Sequence, residues 1–467
     1  MVWWLLTDGS DCLWNYIVVP LMVVCALWFT VRTRFVQFMM FPEMLKLAYR
    51  SNKVVQGSGK RSISSFEAFI ISLASRVGVG NLAGVALAIT VGGPGSIFWM
   101  WVMAVLNAAT AFVEATLAQL FKSRAGDAFI GGPAYYIYKG LGSRFASVVI
   151  AVLSIVTFSF TMCSVQANTI AISAKEAFGI DPWLSAAVVA VLMVVIIFGG
   201  VQWIAKASSA IVPLMAVAYI VIVVYVVAVN YYKIPDILCL IIDDAFGIRQ
   251  IVGGGVGIAI LQGVKRGLLS NEAGMGSAPN AAAVATTEHP VSQGLIQALG
   301  VFIDTLVVCS CTAFVIFTSD IYSFGTESTG IALTQLALSD SVGAWAYQFI
   351  AVLIFFFGFS TCISNAYYGE SNMRFIINNG WSVNTFRVLM VIFVAAGCIA
   401  SLKFIWALAD FLMIFVVLIN LVSITSLGRY VYILLTDYKK QKRSGVDTPL
   451  FRKKDTPELD NEKIECW

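Results

Sequence analysis

Apolar runs separated by short polar stretches dominate the chain. Eleven can be marked, at roughly 12–31, 66–91, 95–121, 145–172, 183–204, 208–232, 250–284, 292–318, 343–368, 384–402 and 405–435. Most have the roughly 20 residues a helix needs to cross a bilayer's hydrocarbon. The pattern predicts an all-α polytopic membrane protein with 11 transmembrane helices. Two runs carry a fault. In the second, Leu73-Ala-Ser-Arg-Val-Gly-Val-Gly-Asn-Leu-Ala-Gly84 puts Arg76, Gly78, Gly80 and Asn81 in mid-span. Glycine weakens a helix because it loses the most backbone freedom on ordering. In hydrocarbon an unwound turn leaves N–H and C=O groups unpartnered. It is tolerated only where protein, an ion or a polar ligand satisfies them. Residues 74–81 are therefore expected to form a binding site halfway across a membrane.

The seventh run is also damaged. It carries Gly253-Gly-Gly-Val-Gly257, then Gln262-Gly-Val-Lys-Arg-Gly267, then Ser270-Asn-Glu-Ala-Gly-Met-Gly-Ser-Ala-Pro279. The second and seventh runs lie five helices apart, and an odd offset makes them cross in opposite directions. With the first run set aside, ten remain, five plus five, and each half opens on a broken helix. This is the pattern of an inverted-repeat secondary transporter with its site at the midplane. The expected units are 1–61 (an extra N-terminal helix and an interfacial segment), 62–248 (first repeat), 249–437 (second repeat) and 438–467 (a disordered cytosolic tail). Glycines also let membrane helices pack closely, and Gly80 and Gly84 have the GxxxG spacing. Two breaks at matching positions in opposed halves favour the site reading.

Composition and charge narrow the class. The chain is 59% hydrophobic and 12% charged, with a net charge of +4. With the N-terminus outside, one side collects Arg32, Arg34, Lys46, Arg50, Lys53, Lys60, Arg61, Lys122, Arg124, Lys139, Arg144, Lys206, Lys265, Arg266, Arg374, Arg387, Arg429 and the tail cations. The other side keeps Lys175, Lys233, Arg249 and Lys403. By the positive-inside rule the C-terminus is then cytosolic and the protein multi-pass in a plasma or inner membrane. The first residues, with Asp8 and Asp11, are too acidic for a secretory signal. The segment 35–55 sets Phe35, Phe38, Phe41, Leu45 and Leu47 beside Lys46 and Arg50, as either an interfacial or an ordinary connecting helix. Nine cysteines without CxxC spacing argue against a disulfide framework or zinc site. The single histidine, His289, leaves acid–base and metal catalysis poorly supplied and reads as an ordinary loop residue.

A broken helix exposes N–H groups at one end and C=O groups at the other. The first attracts a carboxylate, the second Na⁺ or an ammonium. A zwitterionic amino acid carries both charges on adjacent atoms; a small organic acid with Na⁺ would also fit. Gln166 and Asn168, and Ser360, Thr361, Ser364 and Asn365, bring amides and hydroxyls to mid-span. Such groups bind ligands or tie helices together. The adjacent hydroxyls of Ser360 and Thr361 suit a hard cation. Arg76, Glu114, Asp304 and Glu370 are charges in or near spans, where charge is costly. Arg76 precedes the glycines and is expected to pair with a carboxylate rather than touch substrate.

Longer motifs carry a resemblance. Gly92-Gly-Pro-Gly-Ser-Ile-Phe-Trp-Met-Trp101, Gly131-Gly-Pro-Ala-Tyr-Tyr136, Gln166-Ala-Asn168, Ser270 to Pro279, Phe359-Ser-Thr361 and Tyr367-Tyr-Gly-Glu370 resemble the alanine or glycine:cation symporter family from about residue 60 to 435. The resemblance implies the fold of the bacterial leucine transporter and Na⁺-coupled, in some members H⁺-coupled, amino-acid uptake. It implies no cofactor beyond Na⁺ as coupling ion. Gly78-Val-Gly-Asn81 is similar to that transporter's first break. By this likeness Ala74, Val77 and Phe357 would join Ser360 and Thr361 around Na⁺. Gly78, Val79, Gly80 and Asn81 would hold the substrate with Gln166, Asn168 and Asn365, and with Gln262 and Gly263 at the second break. Val79 stands where the family usually has Thr, Asn107 and Ser364 where Gly is usual, and Asn365 where Trp is usual. An amide in place of a large ring enlarges and polarises the pocket, which implies a substrate such as glutamine or asparagine beside alanine or glycine. The rival functions are a membrane sensor that binds an amino acid without moving it, a membrane enzyme and a channel. The absence of a nucleophile–base constellation counts against an enzyme, and two breaks closed around a small ligand suit alternating access better than a channel. The partners implied are a small neutral amino acid, Na⁺ and the bilayer, without nucleic acid.

Overall fold

The computed structural model describes residues 2–51, 63–126, 128–247, 255–322, 330–459 and 462–467. Gly253 and Gly254, Lys53, Lys60, Arg61 and Arg249 lie outside the described residues. The helices are α1 Leu5–Arg32, α2 Phe41–Ser51, α3 Ser65–Arg76, α4 Ala83–Gly92, α5 Gly95–Leu120, α6 Arg144–Phe178, α7 Pro182–Ile197, α8 Val201–Val229, α9 Ile234–Ala245, α10 Gly255–Asn271, α11 Ala278–Ala282, α12 Pro290–Thr318, α13 Ile331–Val342, α14 Trp345–Ile376, α15 Gly380–Ile399 and α16 Leu402–Arg443. Among the described residues, eight helices are long and apolar enough to span a membrane, and the bent pair α3 and α4 makes a ninth. The shorter α7 and the interrupted α10–α11 fill the remaining places in the expected series of spans.

Local sequence sets where the first break begins and ends. Ser64 caps α3: its hydroxyl accepts from Glu67 N–H at 3.1 Å, and Glu67 Oε2 accepts from Ser64 N–H at 2.8 Å. The helix stops at Arg76, a short 3₁₀ turn covers Val79–Asn81, and α4 leaves at 55° to α3. Ile63–Ser64 pairs in parallel with Ala285–Thr286, so the start of the first broken helix and the end of the second are joined. Gly80 and Gly84 both face Leu269 of α10. The close-packing role of this glycine pair therefore holds alongside the break.

Three expectations are corrected here. Lys265 and Arg266, counted with the inner-side cations, are not charges at a membrane surface. Both are buried on α10, where Asp410 of α16 accepts from Arg266 at 2.7 Å and lies 3.2 Å from Lys265. Asp11 lies 2.8 Å from the same lysine. His289 lies in the loop before α12 as expected, but it is fully buried and so is not an ordinary loop residue. It caps α12, its Nδ1 accepting from Val291 N–H at 3.1 Å, and burial holds its pKa below the ordinary value. Finally, the stretch after residue 443 is not disordered where it is described. Phe451, Leu459 and Ile464 are buried, Phe451 N–H donates to Glu288 O at 2.9 Å, and Trp467 Nε1 donates to Gln119 O at 3.0 Å. Lys122 lies 4.5 Å from the Trp467 ring centre, and burial pulls its pKa down to about 7. Aromatic and aliphatic residues spaced through a charged tail gave it enough apolar surface to pack.

The helix α2 exposes Phe41, Leu45 and Tyr49 while burying Met44. Glu370 is a structural partner: Arg374 and Arg387 each approach it to 2.8 Å. All nine cysteines are free, and only Cys12 and Cys239 are exposed.

Candidate functional site

At the first interruption α14 comes too close for a side chain at position 78. A Cβ at Gly78 would collide with Thr361 Oγ1 and lie 3.1 Å from Gln166 Oε1. Glycine alone allows that approach. Thr361 Oγ1 lies 3.0 Å from Ala74 O, 3.2 Å from Ser75 O and 3.1 Å from Phe357 O. Ser360 Oγ donates to Phe357 O at 2.9 Å. Four of the five expected cation ligands, Ala74, Phe357, Ser360 and Thr361, are thus brought together. The fifth, Val77, is buried in the same break. The Thr361 hydroxyl has one proton for three carbonyl oxygens, so acceptors face acceptors there. That is the surrounding a hard cation relieves.

The second interruption lies further along than the glycines of 262–267 imply. Helix α10 runs unbroken through Gln262 and Gly263 to Asn271. The break follows, with Glu272, Gly274 and Gly276 at φ +55, +85 and +79. Glycine accepts such values freely; Glu272 does so under strain. Glu114 of α5 satisfies the freed N–H groups: Oε1 accepts from Gly274 at 3.1 Å and Oε2 from Gly276 at 3.3 Å. Asn420 Nδ2 also donates to it at 3.0 Å. Replacing Glu114 by alanine orphans two buried donors, at about 1–3 kcal/mol each. The expected outcome is a lower unfolding temperature in detergent, with a smaller loss for Glu114→Gln, which keeps one acceptor oxygen.

Between the two breaks lies a closed pocket lined by Ser75, Arg76, Gly78, Gly80, Phe158, Met162, Gln166, Leu269, Glu272, Met275, Thr361 and Asn365. The free space is about 10 Å³, room for one water at most. Admitting an amino acid therefore requires side chains to move. Val79 N–H donates to Gln166 Oε1 at 2.9 Å. The amide oxygen thus occupies the donor expected to hold a carboxylate. Ser75 Oγ lies 2.8 Å from Glu272 Oε1 and 2.9 Å from Asn365 Oδ1. One hydroxyl proton cannot serve both, so turning the Asn365 amide about lets its NH₂ donate to Ser75 while Ser75 donates to Glu272. The amide oxygen is then left for the pocket.

Of the expected substrate residues, Gly78, Gly80, Gln166 and Asn365 line this pocket, and Val79 and Asn81 are buried beside it. Asn168 does not reach it. Its Nδ2 donates to Gly397 O at 2.9 Å and Ala400 O at 2.8 Å, tying α6 to the end of α15. Gln262 and Gly263 are also elsewhere, packed on Gly92 and on the backbone of Ser96. The expected Arg76–carboxylate pair is not formed. Arg76 Nη1 donates to Gln297 O at 2.9 Å, and Nε and Nη2 have no partner among the described residues. Sequence reasoning missed Phe158, Met162, Leu269, Glu272 and Met275 as pocket residues; Ser75 fell within the expected stretch 74–81 without being singled out, and Arg76, expected to stand back from the substrate, lines the pocket. Glu272 stood inside the quoted Ser270–Pro279 motif and was legible as an acid among glycines.

Paired helix interruptions around one buried polar pocket, in an all-helical bundle of this length, define a secondary transporter with an inverted repeat. The fold agrees with solved transporters. A Na⁺-coupled sialic acid symporter in a substrate-bound outward-open state matches with a TM-score of 0.51 at 13% identity, over 79% of this chain and 82% of that one. The profile of the sodium:alanine symporter family matches residues 1–453, and the chain belongs to that family. It is therefore a Na⁺-coupled amino-acid symporter and a multi-pass membrane protein, not an enzyme. A probable sodium/glutamine symporter of Bacillus subtilis (strain 168) is 45% identical over 460 residues, 98% of this chain and 95% of the relative. A sodium/alanine symporter of Methanococcus maripaludis is 35% identical over 413 residues, 87% of this chain and 90% of the relative. A Bacillus subtilis relative 38% identical over 455 residues, 94% of this chain and 93% of the relative, is named a putative sodium/proton-dependent alanine carrier.

Proposed function

We propose that this symporter takes up glutamine together with smaller neutral amino acids, driven by Na⁺. The observation that carries the reading is Asn365, an amide in the wall of the closed pocket, oriented by Ser75 and Glu272. A carboxamide substrate both donates and accepts, and a fixed amide answers it with the complementary pair. The similarity to a protein named as a sodium/glutamine symporter supports the same substrate.

In this reading Na⁺ sits among the Ala74, Val77 and Phe357 carbonyls and the Ser360 and Thr361 hydroxyls. The substrate carboxylate takes the N–H groups of Val79 and Gly80, and Gln166 swings away to receive it. Na⁺ ordering the first break raises substrate affinity, and by linkage substrate raises Na⁺ affinity by the same factor. The bundle then rocks and opens the other way. The units 62–248 and 249–437 act as the opposed repeats, with the N-terminus outside and the C-terminus in the cytosol, as the distribution of Lys and Arg favours.

Uptake into proteoliposomes with an imposed Na⁺ or H⁺ gradient tests this, using radiolabelled alanine and a panel of competing amino acids. Glutamine is expected to compete and to exchange in counterflow, with the Na⁺ gradient as driver. If only alanine and glycine compete, the substrate assignment fails. Uptake driven by H⁺ alone overturns the choice of cation, and binding without exchange would mean a sensor.

A further inference from the structure

The middle of α12 carries a carboxylate that no step above uses. Helix α12 passes through a π-helical stretch at Phe302–Cys309, the kind of irregularity that collects at functional positions. Asp304 lies in it and is fully buried. Its Oδ1 accepts from Asn81 Nδ2 at 2.6 Å. Its Oδ2 accepts from the Ser270 hydroxyl and, at 3.0 Å, from Thr305 Oγ1. Asn81 closes the first interruption, where its Oδ1 accepts from Gly78 N–H at 3.1 Å. Ser270 stands in the last turn of α10, two residues before the second interruption opens at Glu272. There Asn271 Nδ2 donates to Thr305 Oγ1 at 3.2 Å, and its Oδ1 accepts from Ala273 N–H at 3.0 Å. Two consecutive side chains of α12 thus hold the residues that shape both breaks.

We propose that Asp304 is the positioning residue through which the two broken helices communicate, carrying the effect of Na⁺ at the first break to the substrate pocket at both. Asp304 is not among the pocket-lining residues and reaches the two breaks through Asn81 and Ser270; Cys309 Sγ, 3.4 Å from Asn81 Nδ2 and 3.1 Å from Ser270 Oγ, makes a weaker second link between the same two side chains. A shared buried acceptor resists separation of its donors, because parting them orphans polar groups where water cannot reach. Moving Asn81 therefore moves Ser270, and a shift at one break is felt at the other. This inference rests on the Na⁺-coupled reading above.

The test is equilibrium binding of radiolabelled glutamine, or alanine if glutamine does not bind, to purified full-length protein, with Na⁺ and with choline in its place. The quantity read is the ratio of the two affinities. In Asp304→Ala the ratio is expected to fall at least about fivefold, the lower end of ordinary coupling strengths, while affinity in choline changes less. Asp304→Asn keeps an acceptor for Asn81 and is expected to recover part of the ratio. Ser270→Ala should lower it too, and adding Ser270→Ala to Asp304→Ala should cost less than Ser270→Ala does alone, since only the weak link through Cys309 is left to lose. A role in stability alone would cut the number of binding sites and leave the ratio unchanged, which overturns the proposal. Should Asp304→Ala fail to fold, Ser270→Ala decides by the same reading. A wild-type ratio near one would instead sink the Na⁺-coupled reading itself.

Discussion

Thr361→Ala is expected to raise the Na⁺ concentration for half-maximal uptake by roughly tenfold to a hundredfold, the worth of one polar contact with a charged group, about 1.5–3 kcal/mol. The reason is local. Thr361 Oγ1 is within 3.2 Å of three carbonyl oxygens and satisfies only one of them with its proton. Phe357 O already accepts from Ser360 Oγ, so a cation there gains the hydroxyl oxygen and whichever of the Ala74 and Ser75 carbonyls the Thr361 proton leaves. Alanine removes the oxygen at the centre of that group and leaves the carbonyls pointing at one another. Thr361→Ser keeps the oxygen and is expected to keep most of the Na⁺ response. Initial uptake rates against Na⁺ at fixed alanine measure the effect. An unchanged Na⁺ dependence in Thr361→Ala would place the cation elsewhere.

Asn365→Trp is expected to lower glutamine uptake by roughly a hundredfold relative to alanine, since a site that answers a polar group loses far more than a methylene's worth when that answer is removed. The pocket already holds no more than a water's volume. An indole would fill the space a longer side chain needs and would take away the amide that Ser75 orients. Alanine, with one methyl group, needs neither. Competition between the two substrates in the same vesicles gives the ratio directly. Equal losses for both would mean that position 365 supports the helix and does not choose the substrate.

The broken-helix architecture was legible because hydrocarbon forbids what the sequence contains. Arg76, Gly78, Gly80 and Asn81 have no place in a plain lipid-facing span, and the first break falls where they stand. The adjacent hydroxyls of Ser360 and Thr361 were readable from the chain, whereas Ala74, Val77 and Phe357 beside them came only from the family resemblance; of these, the Ala74 and Phe357 carbonyls lie within 3.1 Å of Thr361 Oγ1. The second break was misread by several residues for a physical reason. Gly263 lets α10 pack against the backbone of α5 at Ser96, so that glycine serves contact and the helix continues. The actual break needs left-handed backbone, and glycine content alone does not distinguish the two uses. Asn168 was misassigned because an amide in mid-span serves a carbonyl at a neighbouring helix end as readily as a ligand. The packing of the tail depended on Gln119, Glu288 and the other groups it meets, all distant in sequence.

The distribution of thiols makes sidedness measurable. With seven of nine cysteines buried or partly covered and Cys12 within the spanning helix α1, the main target for a charged maleimide that cannot cross lipid is Cys239 on α9. In the proposed orientation Cys239 is on the outer side, so whole cells are expected to be labelled as fully as broken ones. Labelling that appears only after lysis would turn the protein upside down.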